Sequence, residues 1–380
     1  MTPPHQLAPP FHTAEPGVSL VIPSRNGRTL LEAQLPAVVR DLAAFPSEIL
    51  IVDNGSQDAT ADWLGAAYPQ AHVEVSAEPL SFARAVNRGI ARARFSHICL
   101  LNNDMLLEPG FFAALTKAFD AAPGLFCATA QIRFPEGVRR EETGKAVMAQ
   151  GSPDDFPVRC DEPLPGEDGT WVLYGSGGCS LYDAAKLRAL GGVDEAYDPA
   201  YVEDLDLGYR AWQRGWPTVY VAAALVEHRH RATTSRYYTE TQLEEILEIN
   251  YLRFLARAVA SPALFHRLWN QALSRLLRGA ARNPAFRNAL AAAGQVQVVE
   301  QLVGQALPPA NLPEESFLAL TDGSVAVFPG RGSSVLVAFT DEWAPPPPAL
   351  LASHAKLVLV RRGAQAAFDA ARRQAALTWP

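Results

Sequence analysis

Short apolar runs and helically spaced apolar positions alternate through the first half of the chain. Val18 to Pro23 is a β-rich run stopped by proline, and it predicts the first strand of the fold. Thr29 to Leu42 has helical spacing despite Pro36, and Glu48-Ile-Leu-Ile-Val52 predicts a second buried strand, ending in an Asp-Asn-Gly-Ser turn. Strand, helix, strand implies a parallel βαβ unit. Asp58 to Tyr68 predicts a helix, Ala71 to Ser76 a strand and Ser81 to Ala93 another helix. Ile98 to Leu101 then predicts a strand that runs directly into Asn102-Asn-Asp104. Polar residues therefore fall at the carboxyl ends of strands, where open parallel sheets bind ligands.

Phe126 to Phe134 predicts a strand leading into a polar, Gly/Pro-rich region from Pro135 to Thr170, which is too long and polar to be core. Trp171 to Ser180 and Tyr182 to Leu190 restore order, and Thr218 to Val226 predicts a strand ending near His228. Beyond Thr239 the pattern is nearly all helical to about Leu307. The tail from Phe317 has strand-like runs at Ser334 to Phe339 and Lys356 to Val360, then a helix ending at Leu377. The division this suggests is a loose Pro-rich arm at 1–16, a nucleotide-binding α/β domain at 17–238, a helical appendage at 239–307 and a small α/β unit at 308–380. That last unit is a candidate for packing on the main domain or for a homo-oligomer interface.

Composition narrows the function. A chain of 380 residues with 48% hydrophobic content can bury a full α/β core. A net charge of −7 argues against a nucleic-acid partner, which calls for a basic field. Cys99, Cys127, Cys160 and Cys179 form no C-x-x-C pair and predict reduced, structural thiols in a cytosolic protein. The first twenty residues lack a basic segment followed by an apolar one, and no window reaches the roughly 18 apolar residues of a membrane span. The expectation is a cytoplasmic protein, soluble or peripheral. Peripheral contact would come from residues 251–290, whose charges are arginines alone: Arg253, Arg257, Arg267, Arg275, Arg278, Arg282 and Arg287. Such a stretch can lie on the anionic inner face of a membrane, or cover a core with a solvated outer side.

The chemistry-bearing residues are concentrated in a few places. In Tyr201-Val-Glu-Asp-Leu-Asp-Leu207, three acidic groups fall within four residues, which is costly unless a cation, a base or a substrate hydroxyl uses them. Acids enriched in a first helical turn would account for one or two of the three. Asp53 follows an apolar strand and precedes a Gly-Ser turn, so its carboxylate can accept hydrogen bonds from a nucleotide base or ribose, or simply cap an Asx turn. Asn102-Asn-Asp104 reads alone as an ordinary polar turn. His228 is a lone histidine near a strand end, in His228-Arg-His230-Arg, where arginines Arg229, Arg231 and Arg236 can meet phosphate.

Taken in order, Val18-Ser-Leu-Val-Ile-Pro-Ser-Arg-Asn26, Ile51-Val-Asp-Asn-Gly-Ser-Gln-Asp58, Phe82-Ala-Arg-Ala-Val-Asn-Arg-Gly89, Asn102-Asn-Asp104, Gly175-Ser-Gly-Gly178, Leu190-Gly-Gly-Val-Asp-Glu195, the acidic motif and His228 resemble the family 2 glycosyltransferases with a GT-A fold. The resemblance covers roughly Val18 to Arg236 and is nearest the bacterial rhamnosyltransferase-like branch, which acts on cell-surface polysaccharide or glycolipid acceptors. It implies a mixed, mostly parallel central sheet flanked by helices. It also implies inverting transfer from a nucleotide-diphosphate sugar, UDP- or dTDP-linked, to a hydroxyl of a glycan or glycolipid.

Residue by residue, the resemblance gives Pro23, Ser24, Asn26, Asp53, Arg84, Asn87, Asn102 and Asn103 to the donor. It gives Asp104 and His228 to a divalent Mg²⁺ or Mn²⁺ cofactor, Asp204 to the catalytic base, and Glu203, Gly177 and Gly178 to the acceptor; the side chains of Trp171 and Trp212 suit either a stacking face for the acceptor or the core. Asp206 falls to a structural role. Two departures stand out: Pro79 and Ser81 replace a common Asn and Gly, and Asn102 replaces the first carboxylate of the family's Asp-x-Asp motif. Two other readings compete. One is a degenerate transferase domain that binds a nucleotide sugar or a partner protein without catalysis. The other is a nucleotidyltransferase, for which Pro23-Ser-Arg-Asn-Gly27 is a poor Gly-rich loop.

Overall fold

The computed structural model of the chain describes residues 14–122, 124–135, 144–146, 168–229, 236–304, 311–341 and 346–376. Most of the expected arm at 1–16, most of the polar region 135–170, Cys160, His230 and Arg231 lie outside these residues.

The first half alternates as its pattern predicts: β1 (Glu15–Ser24), α1 (Arg28–Leu42), β2 (Ser47–Asn54), α2 (Thr60–Ala67), β3 (His72–Ser76), α3 (Phe82–Arg92) and β4 (Phe95–Leu101). The strands run β3-β2-β1-β4, all parallel. Alternate residues of the central strands enter opposite cores. Leu20, Ile22, Cys99 and Leu101 pack on one face, and Val21, Ile98 and Leu100 on the other. A strand buried on both faces has no polar alternation, which is why these segments read as continuous apolar runs.

The middle of the chain adds β5 (Met105–Leu107), α4 (Phe111–Ala121), β6 (Cys127–Arg133), β7 (Thr170–Val172), β8 (Cys179–Asp183), α5 (Ala184–Ala189), a 3-10 turn (Glu195–Tyr197), α6 (Glu203–Gln213) and β9 (Thr218–His228). The pattern had not pointed to β5 or α4. Strand β8 lies antiparallel to both β4 and β6, β6 is parallel to β9, and β5 pairs antiparallel with the end of β9. The thiols of Cys99, Cys127 and Cys179 are buried in this part of the sheet.

Three helices follow, α7 (Glu240–Ala258), α8 (Pro262–Gly279) and α9 (Pro284–Gly304), then α10 (Glu314–Leu320), β10 (Asp322–Pro329), β11 (Ser334–Thr340), α11 (Pro348–Ser353), β12 (His354–Arg361) and α12 (Gln365–Ala376). The tail strands extend the same sheet: β10 pairs with β7, giving the order β11-β12-β10-β7-β9-β6-β8-β4-β1-β2-β3. One core cluster runs through all these parts, joining Trp171, Tyr209 and Trp212 to Phe254 of α7, Phe317 of α10 and Val358 of β12.

The arginine-rich stretch is less one-signed in space than in sequence. Arg253 and Arg257 meet Glu300 of α9 at 2.9 and 3.0 Å, Arg257 also reaches Asp194 at 2.6 Å, and Arg275 is buried against Glu248. The acids come from outside residues 251–290, so the one-dimensional count missed them. No helix among the described residues is long and apolar enough to cross a membrane.

Candidate active site

Parallel pairing brings the polar strand ends together. In the β1–β2 register Ser24 stands opposite Asp53. The Ser24 hydroxyl accepts from Asn103 Nδ2 at 2.9 Å, which ties the end of β1 to the turn after β4. That turn is held from below by Gln34 of α1, whose Nε2 donates to the carbonyls of Asn102 (2.6 Å) and Met105 (2.7 Å). Asp53 is buried and accepts from the Ser56 N–H at 3.0 Å, so the Asx turn does form. Pro23 precedes Ser24 at the end of β1. Asn26 takes a left-handed φ of 48° and links three segments. It accepts from the Gln57 N–H at 2.7 Å, donates to the Tyr237 hydroxyl at 2.7 Å, and offers its carbonyl to Arg236 at 3.0 Å.

Asp104 and His228 are 124 positions apart in sequence, and the short antiparallel β5–β9 ladder brings them together. Met105 is the register partner of His228, and Arg229 N–H donates to the Asp104 carbonyl at 2.9 Å. His228 Nε2 lies 3.5 Å from Asp104 Oδ1, with side-chain exposures of 13% and 9%. A carboxylate oxygen and an imidazole nitrogen this close together suit a hard or borderline divalent cation. Among the described residues no group of three or more His, Cys, Asp or Glu side chains could hold a metal ion. Asp104 and His228 by themselves would hold a cation only with the rest of its shell drawn from substrate phosphate and water, as Mg²⁺ sites commonly do.

The acidic motif opens α6 after two consecutive non-glycine residues in left-handed backbone, Tyr201 (φ 73°) and Val202 (φ 78°). Asp204 Oδ2 accepts from the Gly177 N–H at 3.3 Å and Oδ1 from the Leu205 N–H at 2.8 Å. Burial raises the Asp204 pKa, and those backbone N–H groups oppose the rise. Glu203 is 7% exposed, and its Oε2 is enclosed without a hydrogen-bond partner among the described residues. Burial and then the Asp204 charge push its pKa up to about 8. Asp206 behaves differently, because it accepts from Arg210 Nε at 2.6 Å and from the Tyr197 hydroxyl at 3.1 Å. Arg210 also bonds the carbonyls of Leu190 and Gly192, so Asp206 fixes the preceding loop.

The turn at Gly177 and Gly178 joins the two halves. Gly177 binds Asp204 on one side, and Gly178 lies so close to Asn102 that an added Cβ would come within 2.6 Å of its Nδ2.

The remaining sequence candidates stand apart from this cluster or are engaged elsewhere. Trp171 is buried in the core, edge-on to Trp212 at 5.2 Å, and Trp212 sits in the last turn of α6, away from the acids of the first. The partner of Trp171 in the β7–β9 ladder is Val219, near the opposite end of β9 from His228. Trp171 thus fills the aromatic core and offers no free stacking face beside the acidic motif. The Asn87 amide is bonded to the Val193 backbone (2.8 and 2.9 Å) and to Glu195 (3.1 Å), and Arg84 forms an exposed ion pair with Glu195 at 3.5 Å.

Several neighbours escaped sequence reasoning. Arg25 lies under the Tyr237 ring at 3.9 Å, and Gln34 and Asn250 brace the two key turns. An aromatic pair inside a polar connector (Tyr237, Tyr238) and polar residues within apolar helix stripes (Gln34, Asn250) were the available signals.

Comparison with known proteins shows the family and the fold. A profile of the family described as "Glycosyltransferase like family 2" matches residues 16–243. The N-acetylglucosaminyl-diphospho-decaprenol L-rhamnosyltransferase of Mycobacterium tuberculosis H37Rv is 29% identical over 215 residues, covering 50% of this chain and 69% of that protein. The uncharacterized protein y4gI of Sinorhizobium fredii is 24% identical over 265 residues, which span 65% of this chain but 28% of that relative's length. Among solved structures, GalNAc-T7 with UDP, GalNAc and Mn²⁺ superposes with a TM-score of 0.52 at 14% identity, covering 79% of this chain and 59% of that one. That likeness establishes a shared fold.

Proposed function

Because the chain belongs to the glycosyltransferases of the family 2 type, we propose that it transfers a sugar, with inversion, from a UDP- or dTDP-sugar to a hydroxyl of a cell-surface glycan or glycolipid acceptor. The observation that carries this reading is the turn at Gly177 and Gly178, which stands between the Asp204 carboxylate and Asn102 at the donor end of β4. A base on one side of a glycine turn and strand-end polar groups on the other is what in-line displacement at a sugar carbon requires.

In this reading Asp204 removes the acceptor hydroxyl proton as the hydroxyl oxygen attacks the anomeric carbon and the bond to the diphosphate breaks. Its raised pKa makes it a stronger base than an ordinary aspartate. Two adjacent buried carboxylates resist ionising together, so a neutral Glu203 leaves the charge, and with it the role of base, to Asp204. Ser24, Asn26, Asp53, Asn102 and Asn103 line the donor side. Asp104 and His228 would hold a Mg²⁺ or Mn²⁺ ion, which when bound neutralises charge on the leaving diphosphate. The mycobacterial relative, named for a rhamnosyl transfer onto a diphospho-decaprenol-linked sugar, supports a lipid-linked acceptor. The exposed Arg267, Arg278, Arg282 and Arg287, with Leu277 beside them, support contact with an anionic surface.

The test is thermal stabilisation by a panel of UDP- and dTDP-sugars with Mn²⁺. It is followed by transfer assays on prenyl-diphosphate-linked N-acetylglucosamine and on surface-glycan oligosaccharides. A donor at a hundred times its Kd stabilises the native state by about 2.7 kcal/mol. A chelator, or Asp104→Ala, is expected to abolish that shift. Stabilisation without transfer to any acceptor would favour the degenerate, binding-only reading that Asn102 suggests, and no shift with any donor would reject the proposal.

A further inference from the structure

The turn that delivers the acidic motif is held from the helical appendage. Tyr201 and Val202 both adopt the left-handed backbone that side chains with a Cβ seldom take, so the surroundings must keep them there. Those surroundings include Asn250 of α7, which is 1% exposed. Its Nδ2 donates to the carbonyls of Ala200 (2.9 Å), Tyr201 (3.2 Å) and Tyr197 (3.3 Å). An amide can present either its donor or its acceptor face, and Arg253 decides which. Arg253 Nη1 donates to Asn250 Oδ1 at 2.6 Å and to the Ala196 carbonyl at 2.9 Å, which turns the NH₂ group towards the 197–201 turn. Arg253 is anchored in turn by Glu300 of α9.

We propose that Asn250, oriented by Arg253, is a positioning residue for sugar transfer: it clamps the carbonyls of the 197–201 turn so that the left-handed pair aims Glu203 and Asp204 at the Gly177 turn. The inference rests on Asp204 being the base. Volume alone does not explain the site, because an apolar side chain would fill it while leaving three carbonyls without this donor. The first turn of α6 begins directly after Val202, so a small backbone rotation there moves Asp204 relative to the acceptor. A displacement of about 1 Å can cost on the order of 10²-fold in rate.

The experiment uses the full chain, with the donor and acceptor pair of highest turnover in the panel above. Asn250→Ser, Arg253→Gln, Asp204→Asn and the double variant Asn250→Ser/Asp204→Asn are compared for kcat, acceptor KM, affinity for UDP or dTDP with Mn²⁺, and Tm. The expected result is a fall in kcat of about tenfold or more for Asn250→Ser and a smaller fall for Arg253→Gln, with nucleotide affinity unchanged. The double variant should be no slower than Asp204→Asn alone, since both changes then act through one carboxylate. If Asp204→Asn is inactive while Asn250→Ser and Arg253→Gln keep wild-type kcat and lose only Tm, Asn250 is structural and the inference fails alone. An additive loss in the double variant overturns it equally. If Asp204→Asn retains wild-type turnover, the base assignment falls and takes this inference with it. Should Asn250→Ser not fold, Arg253→Gln decides, being a partly exposed change that removes the orienting donor.

Discussion

At the residue scale, three acids within four positions have three different environments, and their partners distinguish them. Asp204 is held by the backbone N–H groups of Gly177 and Leu205, Glu203 has an enclosed oxygen without a partner among the described residues, and Asp206 is neutralised by Arg210. Asp204→Asn keeps size and most hydrogen bonding while deleting the basic site, so turnover should fall by about 10²-fold or more with donor affinity unchanged. Asp206→Asn should instead lower stability by about 3–5 kcal/mol in chemical denaturation, because it leaves Arg210 buried without its counter-charge. Near wild-type turnover in Asp204→Asn together with a dead Glu203→Gln would move the base to Glu203.

Glu203 also predicts a pH dependence. Its folded pKa of about 8 lies above the ordinary glutamate value of 4.5, so the unfolded chain loses this proton first as pH rises. Between those two values the folded state binds more protons than the unfolded one, and stability falls with increasing pH. Glu203→Gln removes the titration. It should raise Tm relative to wild type at pH 8 and lose that advantage near pH 4, where both states of the wild type are protonated. An equal Tm difference at the two pH values would count against a neutral Glu203 in the fold.

At the element scale, legibility depended on whether an element carries its own pattern. β1, β2 and β4 are apolar on both faces, and α3 begins at a Ser81 cap, so local sequence was enough to find them. β5 has three residues and exists because the end of β9 pairs with it, and no local pattern encodes a pairing partner so far along the chain. The Asp104–His228 approach follows from that pairing, so the motif comparison could name both residues but their contact waited for the fold. The buried residues of α4 are Phe111, Phe112 and Leu115, all near its start, which is too short a stripe to establish a helical period.

The turn at Gly177 and Gly178 gives a prediction at this scale. A Cβ on Gly178 would come within 2.6 Å of Asn102 Nδ2 and 2.9 Å of its Cγ, whereas one on Gly177 meets nothing nearer than 3.5 Å. Gly178→Ala should therefore displace Asn102 and weaken donor binding in calorimetry. Gly177→Ala should bind the donor like wild type. Equal donor affinity in the two variants would mean that Asn102 does not contact the donor.

At the scale of the whole molecule, the sheet continues across the division that composition suggests at 308. β10 from the tail hydrogen-bonds to β7, and Phe317 packs against Tyr209 at 4.9 Å and stacks on Trp212 of α6 at 6.3 Å between ring centroids. Gln213, at the end of α6, accepts from the N–H groups of Asn311 and Leu312 and donates to Glu314. The helix whose first turn carries Asp204 thus rests, at its other end, on the tail. We expect the chain to unfold in a single transition, with Phe317→Ala costing about 3–5 kcal/mol, as emptying a buried aromatic site does. Truncation after residue 311 would bare the β7 edge and the Trp212 face together, and an open strand edge beside apolar surface favours aggregation. The truncated chain is expected to aggregate or lose the donor-induced thermal shift. A soluble 1–311 chain with full turnover would show instead that the tail is an independent unit and that α6 holds the acidic motif in place without it.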